Sequence, residues 1–112
     1  MPLQTGDWKI NLNGSVGVLN IASVNFSSGN VAGSFGGQPI GGFWDEITQR
    51  LTFSTGSVQT GLRAFFGFLT PDQHRMPGVT GDGVVTLVGY YTEVPSQAEV
   101  QRFGWYAQLG TT

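Results

Sequence analysis

Repeatedly in this chain a glycine stands two residues before a large side chain. Six such pairs are Gly6–Trp8, Gly33–Phe35, Gly42–Trp44, Gly67–Leu69, Gly89–Tyr91 and Gly104–Tyr106. Residues i and i+2 of a strand face the same way, so each pair sets an empty position beside a full one on a single face. Glycine weakens a flat strand, but a tightly curved one needs glycine at its bends and a bulky neighbour to fill the gap. The taper of a small barrel interior also favours alternating small and large residues. The recurrent pair therefore points to a closed barrel, with the glycines and aromatics facing a common axis. A glycine-rich two-sheet sandwich is the other arrangement it permits.

Turn signals divide the chain into eight strand-like runs, at 7–12, 16–24, 30–35, 39–44, 49–54, 63–69, 83–92 and 102–109. Asn13–Gly14–Ser15 reads as a tight hairpin, because Asn and Gly tolerate positive φ. Ser27–Asn30 and Gly36–Pro39 read the same way. Asp45–Gln49 is a longer hairpin in which Asp45 is placed to bond the turn backbone. Two loops are longer, Thr70–Asp82 and Glu93–Gln101. In the second, Ser96 and Glu99 have capping-box spacing for one helical turn. Consecutive short hairpins imply a meander. The expected fold is all-β: one domain, residues 1–112, forming an eight-stranded antiparallel up-and-down barrel. Extending the glycine register places Trp8, Ile10, Leu12, Leu19, Ile21, Val31, Phe35, Ile40, Trp44, Leu51, Phe53, Leu69, Leu87 and Tyr91 inward.

Composition narrows the function classes. Glycine is 18 of 112 residues, and charged residues are only 11% against roughly 25% in an average soluble domain. A net charge of −2 gives no basic face for nucleic acid. Without cysteine there is neither a disulfide nor a thiolate metal site. No run approaches the ~20 apolar residues of a membrane helix, and most strand runs are shorter than the ~9–11 residues of a membrane strand. The first ten residues carry neither a basic region nor an apolar run, so no signal peptide is read in this chain. The protein is read as soluble and not membrane-bound; its compartment is left open.

Several stretches resemble the opening of the avidin and streptavidin family. "GDWKINLNGSVGVLNI" is followed by "GNVAGSF" and "IGGFWDE", and "TLVGYYTEV" is similar to a late strand of that family. The resemblance has register over about the first half of the chain. It implies an eight-stranded barrel that opens at the end carrying the Asn13–Ser15 and Gly36–Pro39 turns. It also implies where a biotin site would lie: a first-strand asparagine, a serine after the first hairpin and a third-strand tyrosine. This chain has Ile10, Ser15 and Phe35 at those positions. The lid between strands 3 and 4 is reduced to "GGQP", and no tryptophan matches the one donated by a neighbouring subunit. Each lost buried hydrogen-bond partner costs ~1–3 kcal/mol, so tight biotin binding is not expected.

Catalytic groups are sparse. His74 is the only histidine and sits in a polar loop with Asp72 and Arg75; without a positioned partner it is read as solvated. Asp45 and Glu46 are neighbours in a turn, and Asp82 follows a Gly-rich stretch that lacks the ligand spacing of a calcium loop. No catalytic residue, metal site or cofactor is assigned, and the protein is read as not an enzyme. The first functional reading is a barrel holding a small neutral or apolar ligand at its uncharged mouth. Ser15, Phe35, Gln38, Trp44, Phe53, Gln59, Tyr91 and Gln97 would line that site. The alternative is a structural or interaction protein acting through an exposed aromatic face. Phe43, Phe66, Phe68, Tyr90 and Trp105 are expected to point outward and to form a homo-oligomeric interface.

Overall fold

The computed structural model of the chain describes residues 2–57, 61–70, 75–81, 83–94 and 102–111. Eight strands follow one another: β1 Gly6–Leu12, β2 Ser15–Val24, β3 Asn30–Phe35, β4 Gln38–Asp45, β5 Arg50–Ser57, β6 Gly61–Thr70, β7 Gly83–Val94 and β8 Arg102–Thr111. Each pairs antiparallel with the next, and β8 returns to β1, closing the barrel. This is the up-and-down barrel expected from the glycine pattern, not the sandwich.

The turns follow from local chemistry. Between β1 and β2, Asn13 and Gly14 both take positive φ (49° and 99°), the backbone a two-residue hairpin needs to match strand twist. Gly36 and Gly37 repeat this between β3 and β4, so Gln38 already lies on the strand. In the β4–β5 turn the Asp45 carboxylate accepts from Ile47 N at 3.0 Å and Thr48 N at 3.4 Å. Asn25 organises the β2–β3 turn, accepting from Ser27 N and Ser28 N.

Alternation along the strands sorts apolar from polar residues. On β1, Trp8 and Ile10 are fully buried, whereas Asp7 is exposed and Lys9 is half-buried. Every residue placed inward by the glycine register is buried, or packs as a partly buried side chain against the core. An apolar interior under a mixed exterior is the reverse of the alternation in a lipid-facing barrel. Among the described residues, no helix is long and apolar enough to cross a membrane. The end where β1 begins is plugged by the preceding segment: Leu3 is buried in the core, and Trp8 Nε1 donates to Gln4 O at 3.0 Å.

The sixth glycine pair departs from expectation. Gly104 and Tyr106 face outward, and Trp105 between them is buried. The cause lies across the sheet. Gly67, Gly89 and Trp105 are consecutive partners in one row over β6, β7 and β8. The indole lies over Gly67, where a Cβ would come within 2.5 Å of the ring. Its Nε1 donates to Phe66 O at 3.2 Å and Tyr90 O at 3.0 Å. The empty position at Gly67 receives the ring that Trp105 lays across the sheet from two strands away.

One loop does not stay at the barrel end. Residues 75–81 fold back as a strap across the outside of β7, β8 and β1. Met76 N donates to Gln108 Oε1 at 2.6 Å, and Lys9 Nζ donates to Pro77 O. Thr80 O comes so close to Gly110 that a Cβ there would lie 1.5 Å away.

Candidate functional site

The expected mouth is at the end of the β1–β2 and β3–β4 turns. On the inward register, Ser15, Phe35, Gln38, Thr55, Arg63, Glu93 and Phe103 approach that rim from β2 through β8. Ser15 and Gln38 are exposed there, and Phe35 is half-buried. Beneath them the barrel is filled by a stack of rings. Phe53 stacks on Phe65 at 4.5 Å between centroids, Phe65 on Tyr91 at 4.9 Å, and Tyr91 on Phe103 at 5.2 Å. Phe35 and Trp105 meet Phe65 edge-on at 6.0 and 5.9 Å. Stacked and edge-to-face pairs are favourable beyond the area they bury, by ~0.5–1.5 kcal/mol each. Phe65, at the centre of these contacts, has no exposed surface.

Three of the expected ligand residues, Phe35, Phe53 and Tyr91, therefore meet around Phe65, each in ring contact with it. Sequence reasoning left Phe65 out, although its parity with Gly67 assigns it inward. Trp44 is not at this end. It lies near the far end of β4, beside the β4–β5 turn, with Nε1 donating to Glu46 Oε1 at 3.3 Å. Gln59 and Gln97 fall outside the described residues, as do His74, Asp72, Asp82, Ser96 and Glu99.

The mouth is not uncharged. β7 extends to Val94, which brings Glu93 into the ladder opposite Arg63. The two form an ion pair at 3.4 Å, each about half exposed, and the Arg63 guanidinium stands 6.0 Å from the Tyr91 ring centroid. A half-exposed pair of this kind contributes about 1 kcal/mol at most. At the other end, Asp45 and Glu46 are engaged in the turn. The Thr48 side chain, with the backbone amides of Ile47 and Thr48, holds the Asp45 carboxyl below its ordinary 3.8. Desolvation pushes the Glu46 carboxyl up, but hydrogen bonds, among them those from Trp44 and Gln49, help to hold it below its usual value. No group of three or more acids or histidines suited to a metal ion occurs among the described residues.

The outer face of β4 to β8 is different in kind. Cross-strand partners form a row Phe43, Thr52, Phe66, Tyr90 and Gly104. A second row runs from Arg50 through Phe68 and Val88 to Tyr106. Phe43, Phe68, Val88, Tyr90 and Tyr106 are all exposed, and Phe66 stacks on Tyr90 at 5.1 Å. Four of the five expected interface residues thus share this face; Trp105, inside the barrel, is replaced on it by Tyr106. On the other side of the Phe43–Tyr90 row lies a row of smaller residues: Gly41, Ser54, Ala64 and Thr92. Over Gly41, Ser54 and Ala64, between Phe43 and Phe66, there is a shallow hollow of about 270 Å³. Ridge and trough lie side by side, and from β4 to β7 neither row contains a charged residue.

No family model matches the chain, and neither a curated protein nor a solved structure matches it.

Proposed function

We propose that the protein is a non-enzymatic interaction module that assembles with a second copy of itself through the outer face of β4 to β8. One observation carries this reading: an aromatic ridge and a trough of small residues lie in adjacent rows that carry no charged residue from β4 to β7. In a two-fold dimer each patch meets its own equivalent, so a residue i that contacts j is matched by j contacting i. A surface holding both a ridge and its trough satisfies that condition with itself. Contiguous exposed apolar patches on small proteins usually mark such contacts, and Tyr and Phe are enriched among them.

Gly41→Leu tests this. Gly41 is in the trough with open space above it, and its φ is not in the left-handed region. A leucine there suits a strand and fills the trough. Sedimentation velocity at about tens of micromolar, where a Kd of ~1 μM leaves most chains paired, should show a dimer for the wild type and a monomer for Gly41→Leu. A monomeric wild type at that concentration, or a variant that remains dimeric, overturns the proposal.

A second reading keeps a small neutral ligand at the mouth. It is supported by Ser15, Phe35 and Gln38 on one rim and by Tyr91 beneath the Arg63–Glu93 pair. Its ligand would lie on top of the aromatic stack, because the stack occupies the space below.

A further inference from the structure

The strap formed by residues 75–81 does not lie flush on the barrel. Between it and the sheet is a groove of about 410 Å³, within the ~300–1,000 Å³ range of small-molecule sites. Its floor is Thr86 and Gln108, its sheet-side walls are Val88 and Tyr106, and the strap contributes Arg75, Met76 and Pro77. The groove opens outside the barrel, away from the mouth and the aromatic stack.

The floor is built rigidly. Gln108 is almost fully buried and joins both sides: its Oε1 accepts from Met76 N, and its Nε2 donates to Thr86 Oγ1 at 3.1 Å. Polar groups fixed in this way hold a pocket open at a set width instead of letting it collapse. The walls offer exposed apolar surface, since Val88 and Tyr106 remain 46% and 40% exposed. The rim carries positive charge. Arg75 donates through Nη2 to Gly81 O at 2.8 Å, which uses one of the five N–H groups of a guanidinium and leaves enough for a paired contact with a carboxylate. The Lys9 ammonium adds a second positive charge on the same strap, at Pro77 O. Among the described lining residues none is acidic, although the chain as a whole is net negative.

We propose that this groove binds a small apolar carboxylate. Its acid group would lie on Arg75, and its hydrocarbon part against Val88, Tyr106 and Met76. A neutral apolar ligand would leave the guanidinium unused. A phosphate ester would meet apolar walls with a single arginine. A molecule of aromatic-acid size with one carboxylate matches both halves of the groove.

The test is an amide-resolved NMR titration of the full chain with 3-phenylpropionate, and with its neutral amide as the matched control. Both are run in the Gly41→Leu background, so that the outcome is independent of self-association. The acid should give saturable shifts at Met76, Thr86, Val88, Tyr106 and Gln108. The neutral amide should bind about tenfold more weakly or worse, the usual consequence of losing a charge-assisted pair. Arg75→Gln should weaken the acid to the level of the amide and leave amide binding unchanged. Absence of saturable shifts at these positions, or equal affinity for acid and amide, overturns the proposal. The acid–amide comparison on the chain with Arg75 intact decides the matter even if Arg75→Gln disturbs the strap.

Discussion

The indole of Trp105 fits only because Gly67, two strands away, carries no side chain. Gly67→Ala would put a methyl within contact-breaking distance of the ring, 2.5 Å from Cζ2. Overpacking of this kind typically costs ~1–3 kcal/mol. Trp105→Ala would leave the space over Gly67 empty and uncouple two carbonyls, a loss in the ~3–5 kcal/mol class. Urea unfolding should show both as lower midpoints with little change in slope. Asp45 provides a residue-scale test of a different term. Its folded carboxyl titrates below the ordinary 3.8, so its contribution is fully present above that value and is lost as pH falls through the folded value. Asp45→Ala should therefore melt below the wild type at about neutral pH, with the gap narrowing towards about pH 2. A gap that is constant across that window would mean that the carboxylate charge is not what supports the turn.

At the scale of strands and loops, the period-two pattern was legible wherever a strand had a marked face. Trp8 and Ile10 against Asp7 and Lys9 fix β1 unaided. Turn residues fixed most boundaries to within one or two positions, because Asn13–Gly14 and Gly36–Gly37 admit so few backbones. β8 was misread because "FGWY" offers an aromatic on either face and the sequence alone does not say which. The decision is made across the sheet, where Gly67 accepts the Trp105 ring, and such pairing is not visible along one strand. The strap was not legible for the same reason: it depends on Gln108, Lys9 and Gly110 from two distant strands. The mouth's charge was missed because Glu93 read as loop, whereas β7 carries it into the ladder opposite Arg63. Gly110→Ala isolates the strap from the barrel. With a Cβ 1.5 Å from Thr80 O, the strap must lift, and the Met76 amide loses its bond to Gln108. Hydrogen exchange at Met76 should accelerate by about tenfold or more, while amides of β1 and β2 keep their protection. Unchanged exchange at Met76 would show that the strap is held by something else.

For the whole molecule, closure decides what remains available for function. A closed barrel has no strand edge to offer a partner, and here the interior is occupied by stacked rings. The outer face is left, and it is unevenly composed. β4 to β7 present aromatic and small residues in adjacent uncharged rows, whereas β1 presents Asp7, Lys9 and Asn11. A chain with so few charges has little else to keep that face from associating. In the proposed dimer its ridge and trough would meet their own equivalents on a second copy. The most direct measurement is an isotope-filtered NOE experiment on an equal mixture of labelled and unlabelled chains, which reports only contacts between different copies. The account predicts cross-peaks from the Ala64 methyl of one copy to the Phe66 or Tyr90 ring of the other. A dimer lacking those cross-peaks, or an absence of intermolecular cross-peaks altogether, would contradict it.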